Sequence, residues 1–184
     1  MSEKTASNSY TDLNVLRFRK PDSTDGSALF RLVESCKPLD ANSMYCNLLQ
    51  CSHFADTAIA AEHNSELCGF VSGYRLPAQP DTLFIWQVAV APAARGQGLA
   101  SQMLQQLLRR HPDVCWLHTS ITASNQASWN TFHKLARQLG APLQTRVMFD
   151  SAQHFAGEHD TETLVCIGPL RDTAGTSHSQ AEEI

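Results

Sequence analysis

The sequence predicts an α/β fold in three layers, a mixed sheet with helices on both faces. Three observations carry that expectation. The hydrophobic period switches repeatedly between strand-like and helix-like, two apolar runs read as strands buried on both faces, and an amphipathic leucine- or aromatic-bearing segment follows each run. Taken in order, "NVLRFRK" alternates as a strand, and "DGSALFRLVESC" places Leu29, Leu32, Val33 and Cys36 at helical spacing. Pro38 breaks that helix, and Asp40, Asn42 and Ser43 offer oxygens to cap a second one containing Tyr45, Leu48 and Leu49. "TAIAAE" and "LCGFVSGYRL" flank the polar "HNSE" as an antiparallel hairpin. "DTLFIWQVAV" is the first doubly buried strand.

Two glycines, Gly96 and Gly98, follow it. A helix beginning at about Gly98 then buries Leu99, Met103, Leu104, Leu107 and Leu108, exposes Ser101, Gln102, Gln105, Arg109 and Arg110, and ends before Pro112. "VCWLHTSI" is the second buried strand, "SNQASWNTFHKLARQLG" a helix closed by Gly140, and "TRVMFD" and "TLVCIG" two short final strands. One domain over residues 14–170 is expected, with polar, small-residue tails at 1–13 and 171–184 that have little to bury.

Composition narrows the function. The 184 residues are 42% hydrophobic and 17% charged with a net charge of -4, which suits one globular domain and leaves no basic patch for nucleic acid. No run has the roughly 18 apolar residues of a membrane span and the first residues lack a signal-peptide core, so a cytoplasmic protein is expected. Cys36, Cys46, Cys51, Cys68, Cys115 and Cys166 form no CxxC pair and read as reduced, mostly buried thiols. The spacing of Cys46, Cys51 and His53 matches no zinc pattern, so no metal is expected.

The glycine junction carries the chemistry. A helix starting there presents unpaired N–H groups and the positive end of its dipole, and two residues without side chains leave a phosphate free to approach. Neither a dinucleotide-binding GxGxxG nor a Walker A loop fits "ARGQGLAS". "RGQGLA", residues 95–100, instead resembles the R-x-x-G-x-A acetyl-CoA loop of the Gcn5-related N-acetyltransferase (GNAT) superfamily, and the element order resembles that fold, whose sheet is mostly antiparallel. The resemblance implies acetyl-CoA as co-substrate. It implies that Val88, Ala89 and Val90 line the thioester and pantetheine arm on a bulged strand, and that Arg95, Gly96, Gln97, Gly98, Leu99 and Ala100 hold the pyrophosphate. "NQASWNTF" resembles a second family motif, implying that Asn125 meets the pantetheine arm. Phe132 stands where the family often has a tyrosine that protonates the leaving thiolate. Tyr45, Tyr74, a water or an unassisted thiolate remains to fill that role.

Within the superfamily, "FRKPDSTDG", "PLDANSMY", "GFVSGY", "DTLFIWQVAV", "ITASNQASWNTF" and "GEHDTETLVCIGPL" resemble the diaminobutyrate acetyltransferases of ectoine biosynthesis. That likeness implies acetylation of the 4-amino group of L-2,4-diaminobutyrate by direct attack on the thioester, and a homodimer. Another small diamine, or acyl-CoA sensing without catalysis, is the alternative. A diamino acid needs carboxylates in its pocket. Asp40, Tyr45, Trp86, Glu158, His159 and Glu162 are the candidate acceptor residues, with Trp86, His159, Glu162 and Tyr45 the candidates for the chemistry itself. Asp40 reads equally as a carboxylate that serves only a helix dipole. The base is His159 or a carboxylate acting through water, and Arg75, Arg146 or backbone N–H groups hold the substrate carboxylate.

Overall fold

The computed structural model describes residues 16–37, 39 and 42–170. The expected tails at 1–13 and 171–184, together with Asp40, lie outside the described residues. The strands are β1 (Leu16–Arg19), β2 (Ile59–His63), β3 (Glu66–Leu76), β4 (Gln79–Val90), β5 (Trp116–Thr122), β6 (Leu143–Phe149) and β7 (Glu162–Ile167). The helices are α1 (Gly26–Ser35), α2 (Met44–Cys51), α3 (Leu99–Arg110), α4 (Gln126–Leu139) and α5 (Ser151–Phe155). Local chemistry explains several boundaries. Asp22 and Asp25 form a capping box at the 3-10 turn that leads into α1, the Ser43 hydroxyl accepts from Cys46 N–H to start α2, and Gly140 closes α4.

The seven strands form one sheet in the order β1-β2-β3-β4-β5-β7-β6. Every pairing is antiparallel except β4 with β5, as expected of a mixed, mostly antiparallel sheet. One core packs α3 and α4 on one face through Leu99, Met103, Leu104, Leu107, Phe132 and Leu135. The other packs α1 and the end of α2 on the opposite face through Leu29, Leu32, Val33 and Cys51, against Phe70 and Ala89. These are the three layers.

The structure departs from the sequence reading, or goes beyond it, in several places. Ser101, expected on the exposed side of α3, is buried, its hydroxyl donating to Gln138 Oε1 at 2.7 Å, and of the six thiols only Cys36 and Cys51 are buried. Helix α3 begins at Leu99, with Gly98 as its left-handed cap residue rather than its first turn. A short helix, α5, stands between the last two strands, where Asp150 caps it by accepting from Ala152 and Gln153 N–H. Finally, β7 inserts between β5 and β6. A strand order of this kind depends on pairings between distant segments, which hydrophobic period does not encode.

Candidate active site

The site begins where two parallel strands part. β4 pairs with β5 only through residues 82–85 and 116–119, after which β5 continues along β7. Residues 86–90 of β4 therefore have no strand on their β5 side. Ala91 N–H donates to the Cys68 carbonyl on β3 at 2.9 Å. Successive N–H groups of a strand alternate sides, so those of Val88 and Val90 face the gap. The register against β3 also slips, with Ser72 opposite Gln87 but Gly73 opposite Ile85. Trp86 is the extra residue of that bulge. Two N–H groups aimed into a gap can hold a developing oxyanion or the amide-bearing arm of a ligand.

The loop after β4 turns the chain into α3. Gly96 and Gly98 have φ of 77° and 73°, a conformation that costs a residue with a side chain about 1–2 kcal/mol. Crowding is not the reason for either glycine. A Cβ at Gly96 would meet nothing within 4 Å, and one at Gly98 only the Lys134 ammonium at 3.7 Å. The space outside the loop is open, and no side chain caps the N-terminus of α3. Its first-turn N–H groups, the helix dipole and the Lys134 ammonium converge there, a setting made for phosphate. The Arg95 side chain turns back instead, its Nε donating to the Val90 carbonyl at 3.2 Å, and Leu99 is core. Gln97 likewise reaches back to Ala93 at 3.4 Å, while Ala100 is half-buried in the first turn of α3. The loop thus offers a ligand mainly its backbone.

Two residues from α4 bear on the expectations. Asn125 caps the helix, its side-chain oxygen accepting from Ser128 N–H at 3.1 Å, so its amide nitrogen is the donor left for a ligand. Phe132 is 2% exposed and lies in the α3–α4 core. Lys134 was not among the sequence candidates. Nothing local marks it, because its ammonium reaches Gly98 only through the packing of α4 beside α3.

Across the gap, Glu162 opens β7 opposite Thr122 of β5. Thr122 lies three residues beyond Thr119, the last residue of β5 paired with β4, so Glu162 stands one strand behind the β5 segment that borders the gap, level with residues 86–90 of β4. Its Oε2 is buried and has no hydrogen-bond partner among the described residues. An unpaired buried carboxylate oxygen is costly to maintain, and an ammonium is the natural partner for it. The preceding loop is pinned by α5. Ser151 Oγ donates to the His159 carbonyl at 2.6 Å, Thr161 Oγ1 accepts from Ser151 N–H at 3.0 Å, and the His159 ring packs against Phe155 with 4.7 Å between centroids. Glu158 and Asp160 are exposed beside the half-buried His159.

On the near bank, Trp86 is 44% exposed and meets Phe54 edge-on at 6.3 Å. Phe54 continues to Tyr74 at 6.4 Å and Tyr74 to Phe84 at 5.3 Å. Tyr45 is 71% exposed on α2, one residue into the helix. Asn42, just before α2, donates to the Gln87 side chain at 3.2 Å, which anchors the α1–α2 connection to the bulge. Arg75 is engaged elsewhere. Its guanidinium is bound to Asp113 at 2.8 Å and to the Pro80 carbonyl at 2.7 Å, at the end of β3 away from the gap. Arg146 is exposed on the edge strand β6, opposite Leu164.

Three of the thiols are held protonated by burial. Burial pushes Cys51 up to about 12 and raises Cys68 and Cys166 as well, and Cys36 donates to the Val90 carbonyl at 3.2 Å. Among the described residues no group of three His, Cys, Asp or Glu side chains could hold a metal ion. No described helix is long and apolar enough to cross a membrane.

The profile of the acetyltransferase (GNAT) family matches residues 27–136, a span that holds α1, the gap, the glycine loop and most of α4. The chain belongs to the GNAT acetyltransferases. Within them it is similar to several L-2,4-diaminobutyric acid acetyltransferases. It is 51% identical over 163 residues to the L-2,4-diaminobutyric acid acetyltransferase of Methylotuvimicrobium alcaliphilum, covering 88% of this chain and 95% of that one. It is 52% identical to the enzyme of the same name from Vibrio cholerae, covering 85% and 91%. Among solved structures, the diaminobutyrate acetyltransferase EctA of Paenibacillus lautus, in complex with L-2,4-diaminobutyric acid and coenzyme A, superposes with a TM-score of 0.82 at 35% identity, covering 86% and 98%. The Escherichia coli ribosomal-protein-S18-alanine N-acetyltransferase, at 15% identity and a TM-score of 0.63, shares the fold. This chain is therefore a GNAT of the diaminobutyrate acetyltransferase group.

Proposed function

We propose that this GNAT enzyme transfers acetyl from acetyl-CoA to the 4-amino group of L-2,4-diaminobutyrate, giving N4-acetyl-L-2,4-diaminobutyrate for ectoine biosynthesis. The observation that supports the assignment of roles is the buried Glu162 oxygen without a hydrogen-bond partner among the described residues, on the residue paired with Thr122 where β5 runs on past the end of its pairing with β4. The first-turn N–H groups of α3 and the Lys134 ammonium bind the pyrophosphate. The Asn125 amide nitrogen and the edge of β4 receive the pantetheine arm, and the N–H of Val88 or Val90 polarises the thioester carbonyl. Trp86 and Tyr45 wall the acceptor pocket, and His159 and Glu158 border it.

Glu162 receives the acceptor ammonium and then its proton. A lysine-like amine, with a pKa of about 10.4, costs roughly 4.6 kcal/mol to deprotonate at pH 7, and the neighbouring α-ammonium of a diamino acid reduces that. A carboxylate acting directly or through one water suffices. The amine nitrogen bonds to the acetyl carbon, the carbon–sulfur bond breaks, and the second proton that the nitrogen sheds passes through water to the thiolate. Phe132 supplies none, and Tyr45 stands exposed on α2. The transfer is direct, with no acyl-enzyme, as the raised thiol values of Cys51, Cys68 and Cys166 support.

A homodimer in the cytoplasm completes the reading. Val147 and Phe149, exposed on the edge strand β6, supply apolar surface for a second copy to cover. The deciding experiment compares thiol release from acetyl-CoA with diaminobutyrate, ornithine, lysine and a peptide, alongside molar mass in solution. A kcat/KM for diaminobutyrate at least about tenfold above ornithine is expected. Parity between them would defeat the substrate assignment, and CoA binding without thiol release for any amine would favour a sensor.

A further inference from the structure

Trp86 is an awkward residue on which to build a pocket. It is the extra residue of a bulge, so the regular cross-strand pairing that orients its neighbours does not constrain it, and nearly half of it is exposed. Something else must hold its ring. Phe54 meets it edge-on, with planes at 89° and centroids 6.3 Å apart, the arrangement in which the positive edge of one ring faces the negative face of another.

Phe54 is itself firmly fixed. Its N–H donates to the Leu49 carbonyl at 3.1 Å, closing the end of α2. Its carbonyl accepts from Thr57 N–H at 3.1 Å, and the Thr57 hydroxyl lies 2.6 Å from the Gly73 carbonyl. The 3-10 turn over Ala55–Thr57 is thereby tied to β3, the strand against which the bulge forms. Behind Phe54 the rings of Tyr74 and Phe84 continue the row to a residue only 6% exposed. The row runs from the core to the free edge of β4 and ends on Trp86.

We propose that Phe54 is the positioning residue that sets the acceptor length this enzyme accepts. By holding Trp86 against the free edge of β4, it fixes the depth between the pocket wall and the thioester. That depth admits an amine two methylenes from the α-carbon and rejects one three or four methylenes away. Phe54 touches neither the reacting atoms nor the co-substrate and acts through Trp86. The inference rests on the placement of the acceptor beside Trp86 under Proposed function.

The test measures kcat and KM for diaminobutyrate, ornithine and lysine in the parent enzyme, Phe54→Ala, Phe54→Leu and Phe54→Tyr. One methylene in a fitted pocket is worth about 10–200-fold in discrimination. In Phe54→Ala and Phe54→Leu the diaminobutyrate-to-ornithine ratio of kcat/KM should fall at least about tenfold, chiefly through KM, while the Kd for CoA stays within about twofold. Phe54→Tyr keeps the ring and should keep the ratio. A purely structural role would lower turnover of every acceptor alike and leave the ratio unchanged, which overturns the proposal. Phe54→Leu, which retains apolar bulk, gives the reading if Phe54→Ala does not fold. A parent enzyme without preference for diaminobutyrate would overturn the substrate assignment and this inference with it. A parent that prefers diaminobutyrate, with variants that do so equally, overturns this inference alone.

Discussion

Position 98 allows the phosphate seat to be tested by charge at constant shape. Gly98 has φ of 73°, so any side chain there pays for the left-handed conformation, least so Asn and Asp, whose short polar groups tolerate it. Gly98→Asn and Gly98→Asp therefore carry nearly the same strain and nearly the same volume. They differ by one negative charge. A Cβ at this site points into open space with the Lys134 ammonium 3.7 Å away, so the Asp carboxylate both faces the bound pyrophosphate and pairs with the lysine that attracts it. Two unit charges about 5 Å apart repel by roughly 0.8 kcal/mol in water and about 3 kcal/mol at an effective dielectric of 20. With two phosphate charges nearby, a net penalty of about 2 kcal/mol is a conservative figure, or roughly 30-fold in Kd. Calorimetric titration of CoA into both variants measures it, and the gap should narrow as salt rises. Equal affinities for CoA, within about twofold, would refute the placement of the phosphates at α3.

The remaining tests address the acceptor side and the scaffold. Glu162→Gln removes the carboxylate at constant volume and should lower kcat/KM for diaminobutyrate at pH 7 by about 10²–10⁴-fold with CoA affinity unchanged, as steady-state kinetics beside CoA titration will read. Arg19 clasps Asp25 through two bonds of 2.7 Å and also bonds Glu62, so Arg19→Ala strands two partly buried carboxylates and should cost about 3 kcal/mol in urea unfolding. That clasp holds the Asp25 carboxyl below the usual carboxylate range, so its contribution is whole above about pH 4 and is lost as pH falls through the lowered value, a loss that Arg19→Ala should blunt. His118, 8% exposed, is held below its ordinary value by burial and by Arg146. The unfolded chain then binds the extra proton first, so stability should fall as pH drops through about 6.5, and His118→Gln should flatten that part of the profile.

Much of the site was legible because its chemistry is local. The glycine loop follows its strand and precedes its helix in one unbroken stretch, so a helix start with exposed N–H groups and no side chain in a phosphate's way could be anticipated from residues 86–100. Asn125 was singled out by the resemblance of "NQASWNTF" to a family motif, whereas its place as the helix cap, which commits its oxygen, came from the structure. Lys134, Phe54 and the Arg19–Asp25–Glu62 cluster were illegible for the opposite reason. Each works through a partner 32 or more residues away, or, for Arg19, through Glu62 brought alongside by the β1–β2 pairing. The pairing of Arg75, one of three options for the substrate carboxylate, was hidden likewise, since its partner Asp113 is 38 residues distant.

The sequence by itself determined the elements. Hydrophobic period, caps and turn residues act within a few positions of one another, and they specify the strands and the four longer helices. Only the tertiary structure decided that β4 and β5 part after four paired residues, that β7 enters between β5 and β6, and that a Glu162 oxygen is buried without a hydrogen-bond partner among the described residues. These depend on which strand edges find each other. Pairing energy is shared by every strand alike, so the choice is made by the whole core at once, when the hairpin, the two helix layers and the final strands compete for the same buried surface.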